Sequence, residues 1–196
     1  TDDSDTVSDA TNSESNTNLH RIHSFANGAD RTLDGDSIAD PTDGQNYKDF
    51  ADKPLFAGDG PTENDIDQGG LGDCWLMAAM GAVAHTDQNA VRQTVVDLGD
   101  GTYAVRLGGD NYFRVDADLP TLNATSWTPI YAGLGVDDSL WAAIVEKAYT
   151  YYRFGDNNYA SIAGGYGIEG LTGLNAAGTD DKYFNTYANG QAILND

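Results

Sequence analysis

An α+β fold, mainly helical with one small β-hairpin, is what this sequence predicts, and three stretches predict it. Residues 74–84 (CWLMAAMGAVA) are Ala- and Met-rich and free of proline, which favours helix. Residues 140–152 carry Trp141, Ile144, Val145, Ala148, Tyr149 and Tyr152 at the i, i+3, i+4 spacing that lines one helical face. Between them, TYAVRL (102–107) and YFRVD (112–116) flank GGDN at 108–111, a strand, turn, strand pattern.

Along the chain, residues 1–45 are mostly Asp, Ser, Thr, Asn and Gly with scattered apolar residues. Such a composition buries too little surface to offset the entropy of ordering, so a disordered acidic arm is expected. Asn27, Gly28, Ala29 and Asp30, then Leu33, Asp34, Gly35 and Asp36, echo calcium loops without completing one. A globular part is expected over 46–174. PLF at 54–56 leads into the turn-rich GDGP at 58–61. The helix from Cys74 follows Gly72 and Asp73 and is apolar on nearly every face, so it is expected to be buried on nearly every side. Asp137, Asp138 and Ser139 supply a start for the second helix, whose apolar face is expected to pack inward on the Cys74 helix. Gly164, Gly165, Gly167 and Gly170 make a pliable stretch, and 175–196 read as a linker or the start of a missing second lobe.

The 196 residues suit one domain with a tail, or two small lobes. Thirty-one acidic residues against 10 Lys plus Arg give a formal charge of −21, which repels phosphate backbones and anionic surfaces. Nucleic acid and membrane are therefore excluded as main partners. Only four of the acids are Glu. The short Asp carboxylate suits turns and oxygen-rich calcium loops, and equally a solvated acidic surface in a salty or extracellular setting. No apolar run approaches the roughly 20 residues that a membrane helix needs. The single cysteine leaves no intrachain disulfide and no zinc site built on several thiolates, and the compartment stays open. Beginning at Thr1 without a leader, the sequence is expected to be a piece of a longer protein.

Cys74 admits two readings. A thiol is nucleophilic as its thiolate, which the positive end of a helix favours. Gly69, Gly70 and Gly72 let a substrate approach the backbone, and the Gln68 amide could donate to a developing oxyanion. Alternatively, Cys74 is a small buried residue opening a core helix. Asp73 bears on the choice: its negative charge would raise the thiol pKa unless it turns away to cap the helix.

The segment QGGLGDCWLMAA (68–79) resembles the active-site segment of the calpain family of papain-like cysteine proteases. VDADLPT (115–121) resembles the family's strand and acidic turn, LWAAIVEKAY (140–149) its long helix, and Tyr159, Gly164, Gly165 and LTG (171–173) follow in order. The resemblance covers roughly 54–174. It implies a two-lobed core whose first lobe carries the nucleophile, here Cys74, and the oxyanion glutamine, here Gln68. Gly165, with Gly72 before the cysteine, then presents backbone to a polypeptide substrate. A histidine and an asparagine belong to the second lobe. This chain has only His20, His23 and His85. His85 lies eleven residues beyond Cys74 on one helix, about 16 Å away, too far to exchange a proton.

The resemblance further implies one calcium ion in the first lobe. Its carbonyl positions fall on Gly58 and Gly60 and an acidic ligand on Asp65, while the remaining acidic position is Ser139, for which Asp138 or Asp137 could substitute. The expected function is that of a calcium-dependent cysteine endopeptidase of which this chain holds the nucleophile half, inactive alone. The alternative is a non-catalytic acidic calcium-binding or interaction module on the same fold.

Overall fold

The computed structural model describes residues 22–33 and 35–174. Its elements follow in the order β1 (Lys48–Asp49), α1 (Cys74–Thr86), α2 (Gln88–Thr94), β2 (Val95–Asp97), β3 (Thr102–Leu107), β4 (Asn111–Asp116), β5 (Asp118–Leu119), α3 (Trp141–Tyr152) and α4 (Gly167–Gly173). Short 3₁₀ turns stand at Glu63–Asp65, Val136–Asp138 and Tyr159–Ile162.

The expected hairpin is present, with β3 and β4 antiparallel and Val105 opposite Phe113. A third strand, β2, pairs with the other edge of β3, Val95 opposite Val105. It is three residues long and begins directly where α2 ends, too short to leave a period of its own in the sequence. Every residue of β3 is buried, so the sheet is covered on both faces. Alternation sends Tyr103, Val105, Leu107, Phe113 and Val115 into the main core with α1 and α3. Ala104 and Tyr112 point the other way and meet Val96, Leu98, Ile22 and Phe25.

That second face corrects the expectation of a disordered arm for residues 22–33 and 35–45. Ile22 and Phe25, sparse in their own segment, complete a hydrophobic cluster that the sheet supplies. Arg114 of β4, wholly buried, donates to the backbone carbonyls of Asp30 and Thr32, the latter at 2.7 Å, and to Thr102 Oγ1 at 2.9 Å, and it pairs with Asp100. Its own carbonyl accepts from Ile38 N at 3.2 Å and Asn27 Nδ2 at 2.9 Å. A polar segment is thus ordered by giving its backbone groups partners on a buried strand. The remainder of the predicted arm, 1–21, and the predicted linker, 175–196, lie outside the described residues.

Helix α3 is enclosed from Trp141 to Thr150, including Glu146 and Lys147. It lies along β3 and β4, while α4 lies along α1. The sheet therefore takes most of the α3 face expected to meet α1, and the two helices touch through an edge-on contact of Trp75 and Tyr149 at 5.6 Å. The buried Lys147 ammonium is neutralised by Asp40 at 2.7 Å and Asp116 at 2.5 Å and donates to the Asp118 carbonyl at 2.7 Å.

Two outcomes follow for stability. Arg114→Ala, which strands Asp100 and frees the arm carbonyls, is expected to cost ~3–5 kcal/mol in urea unfolding. Burial alone would raise the Asp116 carboxyl, but Lys147 beside it holds it below the ordinary carboxylate value. The stability from that pair is present above the ordinary value and lost as pH falls through the lowered one. Acid titration followed by circular dichroism is expected to show this loss in the wild type, and a smaller one in Asp116→Asn.

Candidate active site

The nucleophile's helix starts from a loop clamped by its backbone. Gly70 N–H donates to the Ile130 carbonyl at 2.7 Å, and Gly133 N–H to the Asp67 carbonyl at 2.8 Å. At position 69 a Cβ would overlap the carbonyls of Ile130 and Tyr131, so this approach requires glycine. Asp73 then closes the first turn of α1, its carbonyl accepting from Leu76 N at 2.8 Å and Met77 N at 3.2 Å. Trp75, Leu76 and Met77 are driven into the core, which leaves Cys74, the first residue of the helix, exposed. Of the two readings of this cysteine, the buried one is removed. The thiol stands in solvent at the first turn of α1, where backbone N–H groups have no partner within the helix.

Gly72 and Gly165 come together beside it. Gly164 N–H donates to the Gly72 carbonyl at 2.8 Å, and at both Gly72 and Gly164 the space a Cβ would fill is open. Gly165 packs against the Trp75 ring and Arg153. Arg153 holds this strip in place: its guanidinium lies 4.7 Å from the Trp75 ring centroid, donates to the carbonyls of Gly164 at 2.7 Å and Ser161 at 3.3 Å, and pairs with Glu169 at 2.8 Å. Trp75 Nε1 donates to the Ile162 carbonyl at 3.0 Å. Gln68, exposed on the same loop, donates one amide hydrogen to the Leu71 carbonyl at 2.9 Å. An NH₂ group has a second hydrogen to offer.

Asp73 neither caps α1 nor faces the thiol's solvent side. It is completely buried, as is Glu146 on α3, whose Oε2 accepts from Ala132 N at 3.0 Å. No N–H or hydroxyl among the described residues donates to either Asp73 side-chain oxygen or to Glu146 Oε1. Burial raises the pKa of both groups, Glu146 well above the carboxylate range, with the Asp73 charge adding to the rise at Glu146.

His85 is at the opposite end of α1, its Nδ1 3.0 Å from Glu63 Oε1 at the surface. His23 is exposed on the arm, and His20 lies outside the described residues.

The residues expected to hold calcium are brought together in part. Gly58 and Gly60 both adopt positive φ, 55° and 105°. Asp65 is buried, and its Oδ2 accepts from Thr62 N at 2.8 Å and Trp141 Nε1 at 2.9 Å. Gly135 backs onto Asp65, and the carboxylate of the next turn that reaches Gly58 is that of Asp137, 3.9 Å from where a Cβ would stand. Asp138 is drawn off to Lys53 at 2.8 Å. Of the two carboxylates that could stand in for Ser139, Asp137 is the neighbour with its charge turned toward the loop. Gly60 is covered by the guanidinium of Arg92, which also sits over Phe56 at 5.1 Å. Ser139 is buried, its hydroxyl 3.4 Å from the Leu55 carbonyl. Gly58, Asp65 and Asp137 thus fit a hard cation, while Gly60 already meets a positive group. Among the described residues, three carboxylates close enough to share an ion occur at Asp40, Asp116 and Asp118, around the Lys147 ammonium.

Sequence reasoning missed Glu146 and Arg153. Both stand off the apolar stripe of their helix, where periodicity reads solvent, and only the enclosure of α3 by sheet and loops makes them interior or wedged groups.

The sequence profile described as "Calpain family cysteine protease" matches residues 41–192. Calpain-8 of Mus musculus is 31 % identical over 129 residues, 60 % of this chain and 17 % of its own length. The calpain-2 catalytic subunit of Bos taurus is 30 % identical over 133 residues, 62 % and 18 % respectively, and calpain-B of Drosophila melanogaster 30 % over 134 residues, 63 % and 14 %. The chain spans less than a fifth of the length of these relatives. With the profile running over most of the chain and taking in the Cys74 loop, α1 and α3, this chain belongs to the calpain family of cysteine proteases.

Proposed function

We propose that this chain is the nucleophile-bearing lobe of a calpain-type endopeptidase acting on polypeptides. The observation that carries the reading is the exposed Cys74 in the first turn of α1, with the open backbone strip of Gly72 and Gly164 beside it. An extended peptide laid on that strip, hydrogen-bonded by Gly72 and Gly165, brings a carbonyl carbon over the sulfur. The thiolate adds to it, and the negative charge that develops on oxygen is met by the Cys74 backbone N–H and the second amide hydrogen of Gln68. Collapse expels the amine and leaves a thioester, which water then cleaves, restoring the thiol. The proton lost by the thiol and returned to the amine needs an imidazole, and a second lobe carrying histidine and asparagine supplies it. Without that lobe no base takes the thiol proton, and the chain alone is inactive.

Calcium enters this reading at Gly58, Asp65 and Asp137, where a bound ion would supply positive charge between the 58–65 loop and the turn that precedes α3. Arg92 over Gly60 opposes it. Calorimetric titration with calcium is expected to show tighter binding in Arg92→Gln and weaker binding in Asp137→Asn, with Asp138→Asn unchanged; loss of binding in Asp138→Asn alone would contradict the assignment.

The enzymatic test supplies the second lobe, fused or added. Turnover of a peptide substrate and labelling of Cys74 by a thiol-directed peptide epoxide are expected only then, and Cys74→Ser abolishes both. In the two-lobed protein Gln68→Ala is expected to lower kcat by about 10²–10³, the effect of removing one oxyanion donor. Absence of labelling in the two-lobed protein would favour an acidic interaction module instead.

A further inference from the structure

Arg153 stands at the end of α3, and its side chain reaches three segments that border the nucleophile. Its N–H donates to the Tyr149 carbonyl at 3.1 Å, so the enclosed helix fixes where the side chain begins. One terminal nitrogen donates to the carbonyls of Gly164 at 2.7 Å and Ser161 at 3.3 Å, and the other pairs with Glu169 of α4 at 2.8 Å. The guanidinium also lies over the ring of Trp75, the residue after Cys74. An ion pair by itself would need only Glu169; this cation also serves two neutral carbonyls, one of them in the glycine strip. Gly164 is thereby engaged on both sides, its N–H on the Gly72 carbonyl and its own carbonyl on Arg153. Gly165 differs. Among the described residues neither its N–H nor its carbonyl has a partner. A Cβ there would stand 2.6 Å from Trp75 Cε2 and 2.9 Å from an Arg153 nitrogen, so the backbone lies directly on those two side chains.

We infer that Arg153 is a positioning residue for the bound peptide: by holding the Gly164 carbonyl and backing Gly165 together with Trp75, it presents the unpartnered N–H and carbonyl of Gly165 to an extended substrate. The inference deepens the protease reading and rests on Cys74 being its nucleophile. An extended chain joins such an edge through main-chain hydrogen bonds, one donated and one accepted at a facing residue. The strip has little of its own to keep it in shape, since both residues are glycine and Gly164 has a φ of 80°. An edge held in its binding shape beforehand loses less freedom when the peptide arrives. Arginine suits the task, because its planar fork serves both carbonyls and the carboxylate while its face covers an indole; lysine offers one compact ammonium. These bonds lie away from the reacting carbonyl. They hold the substrate equally before and during attack by the thiolate, so weakening them raises KM and leaves kcat in place.

The test uses the two-lobed protein, with a peptide substrate, a thiol-directed peptide epoxide and iodoacetamide as probes. Arg153→Ala is expected to raise KM about tenfold, the worth of roughly one hydrogen bond, with kcat within about twofold of the wild type. Labelling of Cys74 by the epoxide at low concentration slows by the same factor. Alkylation by iodoacetamide, which is too small to use the strip, keeps the wild-type rate. Methylguanidinium at millimolar concentration is expected to bring the KM of Arg153→Ala back toward the wild-type value. Arg153→Lys, which keeps the charge but cannot serve both carbonyls and Glu169 together, is expected to raise KM about threefold, and it decides the matter if Arg153→Ala does not fold. An unchanged KM in either folded variant, or a fall in kcat and in iodoacetamide alkylation together, which would mean that the first turn of α1 has been disturbed, overturns the inference. Failure of the protease reading shows separately, because the wild-type two-lobed protein then neither turns over the peptide nor takes the epoxide.

Discussion

The site depends on how the first turn of α1 is held, with one side in hydrocarbon and the other in water. Helix α1 is apolar almost all round, and left to itself such a segment would bury its cysteine with the rest. Burial of Trp75, Leu76 and Met77 fixes the rotation of the helix, and the burial of Asp73, whose carbonyl accepts from Leu76 and Met77 N, fixes its start. Between these two constraints Cys74 is the position left facing out. The glycine at 69 extends the same constraint backward, because the approach of the loop to the Ile130 and Tyr131 carbonyls tolerates no side chain.

Charge is distributed unevenly between surface and interior. The large acidic excess is mostly solvated, but three buried or wedged cations organise the structure. Arg114 gives the arm a backbone partner, Lys147 gathers Asp40, Asp116 and the Asp118 carbonyl, and Arg153 binds the glycine strip to Trp75. Two of the three reach across more than eighty residues of sequence to the same polar arm. A chain with few basic residues has placed them where one side chain can join segments that have little hydrophobic surface of their own.

Much of this was legible in the sequence, and what was not has physical reasons. The two principal helices and the hairpin are legible, α1 from an Ala- and Met-rich run free of proline, α3 from its spaced apolar residues and the hairpin from two strand-like runs around a turn. The arm was misread because composition measures what a segment can bury by itself, whereas Ile22 and Phe25 complete a cluster built by β2, β3 and β4. Cys74, Gln68, Gly72 and Gly165 are singled out by a motif, and the structure adds the hydrogen bond from Gly164 to Gly72. Asp73 was read as a surface charge with a choice of capping or opposing the thiol. The burial of Glu146 likewise carries no local signal, because it sits at an offset that on a half-exposed helix would face water. That Asp137 turns toward the loop and Asp138 toward Lys53 is equally invisible beforehand, since it depends on the positive φ of both residues and on Lys53.

The central claim is that the Cys74 sulfur is open to solvent in the folded chain. Mass spectrometry after brief treatment of the native protein with a small maleimide at neutral pH tests it directly. The structure predicts modification at Cys74 without denaturant, while the chain stays folded by circular dichroism. Protection of the thiol until the protein is unfolded would contradict the account.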